Sequence, residues 1–383
     1  MRMARLFTAS AAMSVRQKAL IVIAAGLAPV VLAFVVTALL TSAGTALLLW
    51  GGLAAVLALA ARFAPVPTVG LAARADPAPD PAAAAARFSA QAAAPRPLNP
   101  LCHPELMGHG GRTRLAVVLL HGISSCPRAF VDFAPRLHAR GHTVITLRMP
   151  ENGYADRATD AMKAITAERL AAWGDAAVDI AAGFGEEVVV LGISAGGTVA
   201  AWVGQTRPEV TRAVLVAPMF GLGGLGPGAN RAIMRLALSL PDIPIWKDPI
   251  LRAAYEGMPH AYKRQSSRAT GEVMRLGHAA LERASAGRAA AGSGALVTNT
   301  ADTAVSNPMA ERLAAAWAVH GLAVKRVVFD ARHRLGHELV DPLEPGADPA
   351  LTYPVLIDMV EGGCGATSTA STAAATSRTV TSK

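Results

Sequence analysis

The feature that most constrains the fold is the segment Gly192–Gly196, which reads GISAG and lies between an apolar run and a stretch of small residues. The run before it, 187–191, is rich in valine, as expected of a buried parallel strand, and 198–203 predicts a helix packed close to that strand. A serine in such a sharp turn has a strained backbone, and the two glycines leave the space that the turn requires. The pattern predicts that Ser194 projects its hydroxyl into an open cleft. An ordinary turn with a capping serine is the alternative.

Apolar runs alternate with helical patterns through most of the chain. The continuous, β-branched character of these runs predicts parallel strands, and the segments between them predict helices on both faces of one sheet. The predicted fold class is therefore α/β, with a mostly parallel sheet and helices on both faces. The predicted strands are Leu115–Leu120, Val144–Met149, Val188–Leu191, Ala213–Val216, Ala295–Asn299 and Val324–Phe329.

The strand 115–120 runs into His121 and Gly122, and this order predicts an oxyanion-binding loop. A glycine at this place lets the chain bend so that the next amide points into the cleft. The predicted oxyanion hole consists of the N–H groups of Ile123 and Ala195, which would bind charge that develops only in a tetrahedral intermediate. His121 is interpreted as a support for this loop, because its position suits bracing better than proton transfer.

The acid and the base should follow the serine in the chain, and Asp302 and His337 fit that order. Asp302 ends a predicted strand, at the sheet edge where catalytic groups gather, although a helix-capping aspartate is the alternative. Asp330 also ends a strand and is the second candidate acid. His333 is disfavoured as base because two arginines flank it and oppose the imidazolium form. His333 and His337 are four residues apart, but the glutamate of a zinc-binding helix is missing, so no metal site is predicted.

Taken in order, these motifs resemble the α/β-hydrolase fold serine esterases and lipases, bacterial carboxylesterases near the monoacylglycerol-lipase-like branch. The resemblance covers about residues 100–360. It implies a serine hydrolase that cleaves carboxylic esters through an acyl-enzyme without a cofactor. Ser194 would be the nucleophile, Asp302 the orienting acid and His337 the base. The segments that carry the resemblance are 118–122, 192–197, Asp302 with Val305, and 336–342; the supporting loop residues are His121, Gly122, Gly192 and Gly196.

Other functions remain open from the sequence. An acyltransferase or a serine peptidase could use the same triad, and a non-catalytic scaffold could keep the fold. The predicted partner is a small-molecule ester or lipid-like substrate. Its acyl length and the oligomeric state are not predicted. The long segment between the strands at 213 and 295 is interpreted as a cap over the site, in which Met219, Ile243 and Trp246 would suit an acyl chain or simply fill its underside.

The N-terminal region predicts a membrane anchor. Segment 19–40 has no charge and is almost wholly apolar, and 45–61 has the same character. About 20 apolar residues span a bilayer, so the first run is long enough and the second barely so. Together they predict a transmembrane helical hairpin within 19–63. A cleaved signal peptide is the alternative, but the apolar region is too long for one.

Basic residues flank this region on both sides and supply six of the formal charges that sum to +9. They predict a bacterial inner-membrane protein whose catalytic domain faces the cytoplasm, whereas a single span would place the domain in the periplasm. No basic stripe interleaved with aromatic residues follows, so no nucleic-acid partner is predicted. The six residues are Arg2, Arg5, Arg16, Lys18, Arg62 and Arg74.

The predicted organisation has five parts. A basic N-terminus (1–18) precedes the apolar region (19–63), an Ala/Pro-rich linker (64–100) forms an extended tether, the α/β-hydrolase domain (101–361) carries a cap at about 219–266, and a tail (362–383) is disordered. Cys102 and Cys126 flank the first strand of the domain. They could form a disulfide in an oxidising compartment and would stay reduced in the cytoplasm.

Overall fold

The computed structural model describes residues 30–63, 66–68 and 70–362. Within this part of the chain, seven strands form one sheet in the order β1-β3-β2-β4-β5-β8-β9, and all neighbours except β1 and β3 run parallel. The predicted α/β fold class is therefore confirmed. The strands are β1 (Glu105–Met107), β2 (Thr113–Leu120), β3 (Thr143–Thr146), β4 (Gly185–Ile193), β5 (Val210–Val216), β8 (Ser293–Asn299) and β9 (Val324–Phe329).

The central strands are buried on both faces, which explains their unbroken apolar sequences. In β2 the last six residues are buried, and in β4 the last six are buried as well. Val118 pairs with Val190 and Leu120 with Gly192, so the two strands end side by side. Since parallel strands point the same way, the loops that follow β2, β4 and β8 emerge at one edge of the sheet.

Helices cover both faces of the sheet and divide the interior into two apolar layers. The helices for which the structure gives both ends are α1 (Ala43–Phe63), α2 (Pro81–Ala92), α3 (Phe133–His138), α4 (Ala167–Phe184), α5 (Ala195–Thr206), α6 (Pro227–Ser239), α7 (Ser267–Ala286), α8 (Asn307–Val319) and α9 (Pro349–Glu361). Helices α4, α5, α7 and α8 pack one apolar layer, and α3 and α9 pack the other.

The segment between β5 and β8, which the sequence analysis interprets as a cap, is folded into helices and short strands. Helix α6 leads into an antiparallel pair of short strands, β6 (Pro244–Trp246) and β7 (Arg264–Ser266), and α7 returns to the sheet. Asn230 is fully buried and ties the start of α6 to the preceding loop, because its side chain bonds both the N–H and the carbonyl of Leu222. The cap is thus an ordered part of the domain.

The structure contradicts the prediction that 64–100 is an extended tether, because part of this segment is helical and part of it packs on the domain. Helix α2 lies within this segment and packs against α4 at Gly183, where a methyl group would come within 2.6 Å of Ala84 Cβ. Leu71, Ala78 and Ala84 are buried in the apolar layer that α4, α5, α7 and α8 pack. Although the segment has few large apolar residues, alanines suffice here because the two helices approach closely.

A buried charge cluster holds the same segment to the domain. Arg207 is fully buried and binds Asp175, Asp179 and Glu209 at 2.5–3.1 Å. The backbone N–H of Arg74 donates to Asp175 and that of Asp76 to Asp179, so the cluster depends on the N-terminal segment for two of its hydrogen bonds. Burial raises the pKa of Asp175, and the hydrogen bonds from Arg74 and Arg207 counteract it by favouring the charged form.

The predicted transmembrane hairpin is not shown by the structure. The basic N-terminus 1–18 and residues 19–29 of the first apolar run lie outside the described residues, as does the predicted tail from 363 onward. Among the described residues, no helix combines the length and the apolar character needed to cross a lipid bilayer.

Candidate active site

The backbone at Ser194 has the strain expected of a nucleophile turn. Its φ is 55° and its ψ is −118°, a conformation that a residue with a side chain rarely adopts. The flanking glycines are required by space. A methyl group on Gly192 would lie 2.1 Å from the carbonyl oxygen of Gly196, and one on Gly196 would lie 2.0 Å from that of Leu120. The turn therefore presents the serine at the edge of the sheet between β4 and α5.

His121 braces the neighbouring loop, as its position predicts. The imidazole is fully buried, Nδ1 lies 2.8 Å from the carbonyl oxygen of Gly122, and Nε2 accepts the N–H of Met149 at 2.9 Å. Burial lowers the pKa of His121 to about 3, so the ring is neutral and donates from Nδ1. This arrangement fixes the loop and leaves the histidine no proton-transfer role.

Two backbone amides are available beside Ser194. In the described part of the chain, neither the N–H of Ile123 nor that of Ala195 donates to a protein acceptor. Ile123 lies in the loop after β2, and Ala195 is the first residue of α5, where helix N–H groups lack intrahelical partners. Unbonded amides at a cavity wall can receive a developing negative charge, which is what an oxyanion hole requires.

Asp302 and His337 form a hydrogen-bonded pair. Nδ1 of His337 lies 2.7 Å from Oδ2 of Asp302, whose side chain is completely buried. Oδ1 of the same carboxylate accepts the N–H of Ala304 at 2.7 Å, so the acid is held from both sides. Burial lowers the pKa of His337, but the hydrogen bond with Asp302 and the charge of Glu338 outweigh it and place the pKa above its ordinary value.

The rejected alternatives lie elsewhere. Asp330 is exposed, and its carboxylate caps a single turn of 3-10 helix by accepting the N–H of Arg332 at 2.8 Å. His333 is in the same exposed turn. Among the described residues, no group of three or more His, Cys, Asp or Glu side chains could hold a metal ion.

Ser194 and His337 line one cavity of about 430 Å³ beneath the cap. Within the described structure, His337 makes its side-chain hydrogen bond to Asp302 and none to Ser194 Oγ. Met219 lines the cavity as predicted, whereas Ile243 and Trp246 do not, and Ile245 contributes instead. Its apolar wall is formed by Met219, Leu222, Ile245, Met258 and Val305.

Sequence reasoning did not anticipate the charged side of this cavity. Glu338, Glu344 and Lys247 also line it. Burial raises the pKa of Glu338 to about 7, and burial raises that of Glu344 as well, with a further contribution from neighbouring carboxylates in each case. Glu338 directly follows His337, and this adjacency was the one available signal that it enters the site.

A disulfide, a sulfur–carbonyl contact and a histidine–aspartate pair connect the loops around the cavity. Cys126 of the oxyanion loop forms a disulfide with Cys102, whose Sγ also contacts the carbonyl oxygen of His260 in the cap. The His260 ring lies 2.8 Å from Asp341 on the loop that carries His337, and both side chains are buried. The cap, the oxyanion loop and the histidine loop thus meet at one point.

A mostly parallel sheet with a strained serine turn, a free pair of amides and a histidine–aspartate pair at one edge defines an α/β hydrolase. The chain belongs to the alpha/beta hydrolase family, whose model matches residues 117–346. No curated protein matches the chain.

Solved structures show the same fold. The chain is similar to the monoacylglycerol lipase of Paleococcus ferrophilus, with 18% identity and a TM-score of 0.50, over 68% of this chain and 99% of that one. It is also similar to a soluble variant of the monoglyceride lipase of Saccharomyces cerevisiae, with 15% identity and a TM-score of 0.52, over 68% of this chain and 89% of that one. These neighbours show that the chain shares their fold.

Proposed function

We propose that this chain is a serine hydrolase that cleaves carboxylic esters through an acyl-enzyme. The observation that carries the proposal is the position of Ser194, on a strained turn at positive φ, in one cavity with a histidine whose Nδ1 is bound to a buried aspartate. A structural serine would not require a left-handed backbone, nor would a structural histidine need to border the same cavity.

The proposed mechanism assigns a chemical role to each of these groups. Nε2 of His337 takes the proton of Ser194 as the oxygen attacks the ester carbonyl, and Asp302 holds the imidazole in the tautomer that leaves Nε2 free. The N–H groups of Ile123 and Ala195 bind the oxyanion. The imidazolium then protonates the departing alcohol, which leaves an acyl-enzyme. In the second half of the reaction, His337 takes a proton from water as the water attacks the acyl carbon, and then returns a proton to Ser194. General-base assistance contributes roughly 10²- to 10⁴-fold.

The cavity supports an ester of moderate size with an apolar acyl group. Methionine and aliphatic side chains form one wall, and flexible methionines fit chains of varied shape. Charged residues also line the cavity, and we assign them to the polar alcohol part of a lipid-like ester. We therefore place the substrate among small-molecule esters and monoacyl lipids.

The test is ester hydrolysis by the full chain purified in detergent. Wild-type protein should hydrolyse p-nitrophenyl esters and label with a fluorophosphonate probe, and Ser194→Ala should do neither while keeping its thermal unfolding midpoint. Wild-type protein that folds but neither hydrolyses nor labels would favour the scaffold function. Faster transfer to an added alcohol or amine than to water would favour the acyltransferase alternative.

We also propose that the N-terminal apolar region anchors the enzyme to the bacterial inner membrane. The uncharged run 19–40 supports this, because its length matches a bilayer. The flanking basic residues favour a cytoplasmic domain, but the disulfide between Cys102 and Cys126 favours an oxidising compartment. One span rather than two would satisfy the disulfide, so we propose the periplasmic side.

The redox state of the cysteines tests the side of the membrane, if cells are lysed in denaturant that contains a maleimide so that the buried thiols can react. If the domain is periplasmic, Cys102 and Cys126 resist the maleimide until a reductant is added, whereas Cys364 provides a third thiol as internal comparison. Alkylation of all three cysteines without reductant would support the cytoplasmic hairpin. Recovery of the full chain in the supernatant after alkaline washing of membranes would contradict anchoring.

A further inference from the structure

Glu338 faces the gap between the oxyanion loop and the nucleophile. A methyl group built on Gly122 would lie 2.5 Å from Oε1 of Glu338 and 3.3 Å from Cβ of Ser194. The carboxyl oxygen and the serine therefore border the same point in space. Because Gly122 immediately precedes the oxyanion donor Ile123, this point lies beside the place where the ester oxygen becomes negative.

The other carboxyl oxygen of Glu338 has no partner. Oε2 is buried and forms no hydrogen bond with any described residue. His337 and Lys247 favour the ionised form of Glu338, yet no ion pair joins either to Glu338 in the described structure. A buried carboxylate without donors is costly, whereas a neutral carboxyl group loses little on burial.

The charged groups that act most strongly on Glu338 come from its own loop and from the cap. His337 and Asp341 share its loop, Glu344 follows on the same stretch, and Lys247 reaches in from the cap. The two carboxylates oppose ionisation of Glu338, while His337 and Lys247 favour it. Burial is the largest effect, and it places the pKa of Glu338 near 7, within the working range of an esterase.

We propose that Glu338 in its protonated form is a third hydrogen-bond donor to the oxyanion, from Oε1 across the gap at Gly122. The proposal rests on the serine-hydrolase function proposed above. Glu338 keeps its proton throughout the cycle, so no bond to it forms or breaks. Its ionised form places a negative charge beside the developing oxyanion and opposes the same step.

The active form of the site thus has a neutral His337 and a protonated Glu338. At low pH the imidazole is protonated and cannot act as base. As the pH rises through the pKa of Glu338, its proton is lost and the donor becomes a repulsive charge. The expected profile of kcat/KM against pH is bell-shaped, with an alkaline limb that spans about two pH units around neutrality.

The experiment compares Glu338→Gln with wild type between pH 5 and 10, on the full chain in detergent, using p-nitrophenyl esters and the Ser194→Ala protein as blank. Each aliquot is brought to one alkaline pH before p-nitrophenol is measured. Glutamine keeps the shape and a donor but does not titrate. The variant should lose the alkaline limb and keep an acid limb, because His337 still titrates while glutamine does not.

Two further variants separate this role from packing. Glu338→Leu keeps the volume but has no donor, and it should reduce kcat by about 10²-fold at every pH with little change in KM. Glu344→Gln removes a carboxyl from the same cavity without touching the gap at Gly122, and it should keep the alkaline limb.

Three results would overturn the assignment of Glu338. They are an alkaline limb that persists in Glu338→Gln, one that disappears in Glu344→Gln instead, or a folded Glu338→Leu as active as Glu338→Gln. If Glu338→Gln does not fold, wild type decides alone, and an active enzyme without an alkaline limb contradicts the proposal. A wild type that neither hydrolyses esters nor labels would instead refute the underlying hydrolase function.

Discussion

Replacing Asp302 with asparagine tests the geometry of the site sharply, because one atom changes. Asp302 Oδ1 accepts the N–H of Ala304, and Oδ2 faces His337 Nδ1, each at 2.7 Å. In Asp302→Asn the amide oxygen must keep the first contact, because an NH₂ group cannot accept a hydrogen bond. The NH₂ group then faces Nδ1, which must become the acceptor. Nε2 consequently carries the ring proton and cannot take one from Ser194.

The expected loss in kcat is about 10⁴-fold, the size associated with a wrong imidazole tautomer in a catalytic triad. That loss corresponds to about 5.5 kcal/mol of barrier at about 1.36 kcal/mol for each factor of ten. KM should change little, because Asp302 does not line the cavity. Steady-state hydrolysis of a short p-nitrophenyl ester measures both constants, and a thermal unfolding curve shows that the variant folds.

Asp330→Asn is the matched control. Asp330 also follows a strand of the sheet, but it is exposed and bonds only its own turn. Its substitution should leave kcat within about twofold of wild type, as for other surface positions. A folded Asp302→Asn enzyme within tenfold of wild type would refute the reasoning, and so would an equal loss in Asp330→Asn.

Three more predictions concern the fold. A methyl group at Gly196 would meet the Leu120 carbonyl oxygen, so Gly196→Ala should lower the unfolding free energy by at least about 3 kcal/mol, whereas Gly228→Ala, which has open space, should stay within about 1 kcal/mol; equal melting curves would contradict this. The hydrogen bond from Arg140 lowers the pKa of Glu361 to about 2, below its unfolded value, so its stabilisation is complete above about pH 5 and lost as the pH falls to about 2. The unfolding free energies of wild type and Glu361→Gln, measured by urea titration, should therefore differ by about 1 kcal/mol at pH 7 and converge near pH 2, and a constant difference would count against it. Cys126→Ser opens a loop of 24 residues and should cost about 3 kcal/mol, and reductant should lower the urea midpoint of wild type but not of the variant.

The sheet could be predicted from the sequence because its strands are buried on both faces. Runs such as 115–120 and 295–299 are uniformly apolar, and this property survives in any arrangement of neighbours. The antiparallel strand β1 was not predicted, because its three residues border glycines and are only partly buried. Strand β3 also ends at Thr146, three residues before the predicted end.

The catalytic residues were predicted from chain order and from strand ends, which fix where a side chain emerges. The pairing of Asp302 with His337 follows the same rule, and their catalytic roles stay predictions. Glu338 could not be assigned from sequence, since its role depends on the empty space left by a glycine more than two hundred positions earlier in the chain. The packing of 71–92 also escaped prediction, because composition alone describes alanine and proline as linker-forming and does not show which groove they fill.

That packing sets where the catalytic unit begins. A shortened enzyme cut at residue 101 would strip the amide donors of Arg74 and Asp76 from the buried carboxylates of Asp175 and Asp179, and would uncover the surface at Gly183. Such a fragment would be expected to aggregate or lose activity for reasons unrelated to its chemistry. Expressed fragments of this chain should therefore begin upstream of Leu71, so that a misfolded fragment is not mistaken for an inactive enzyme.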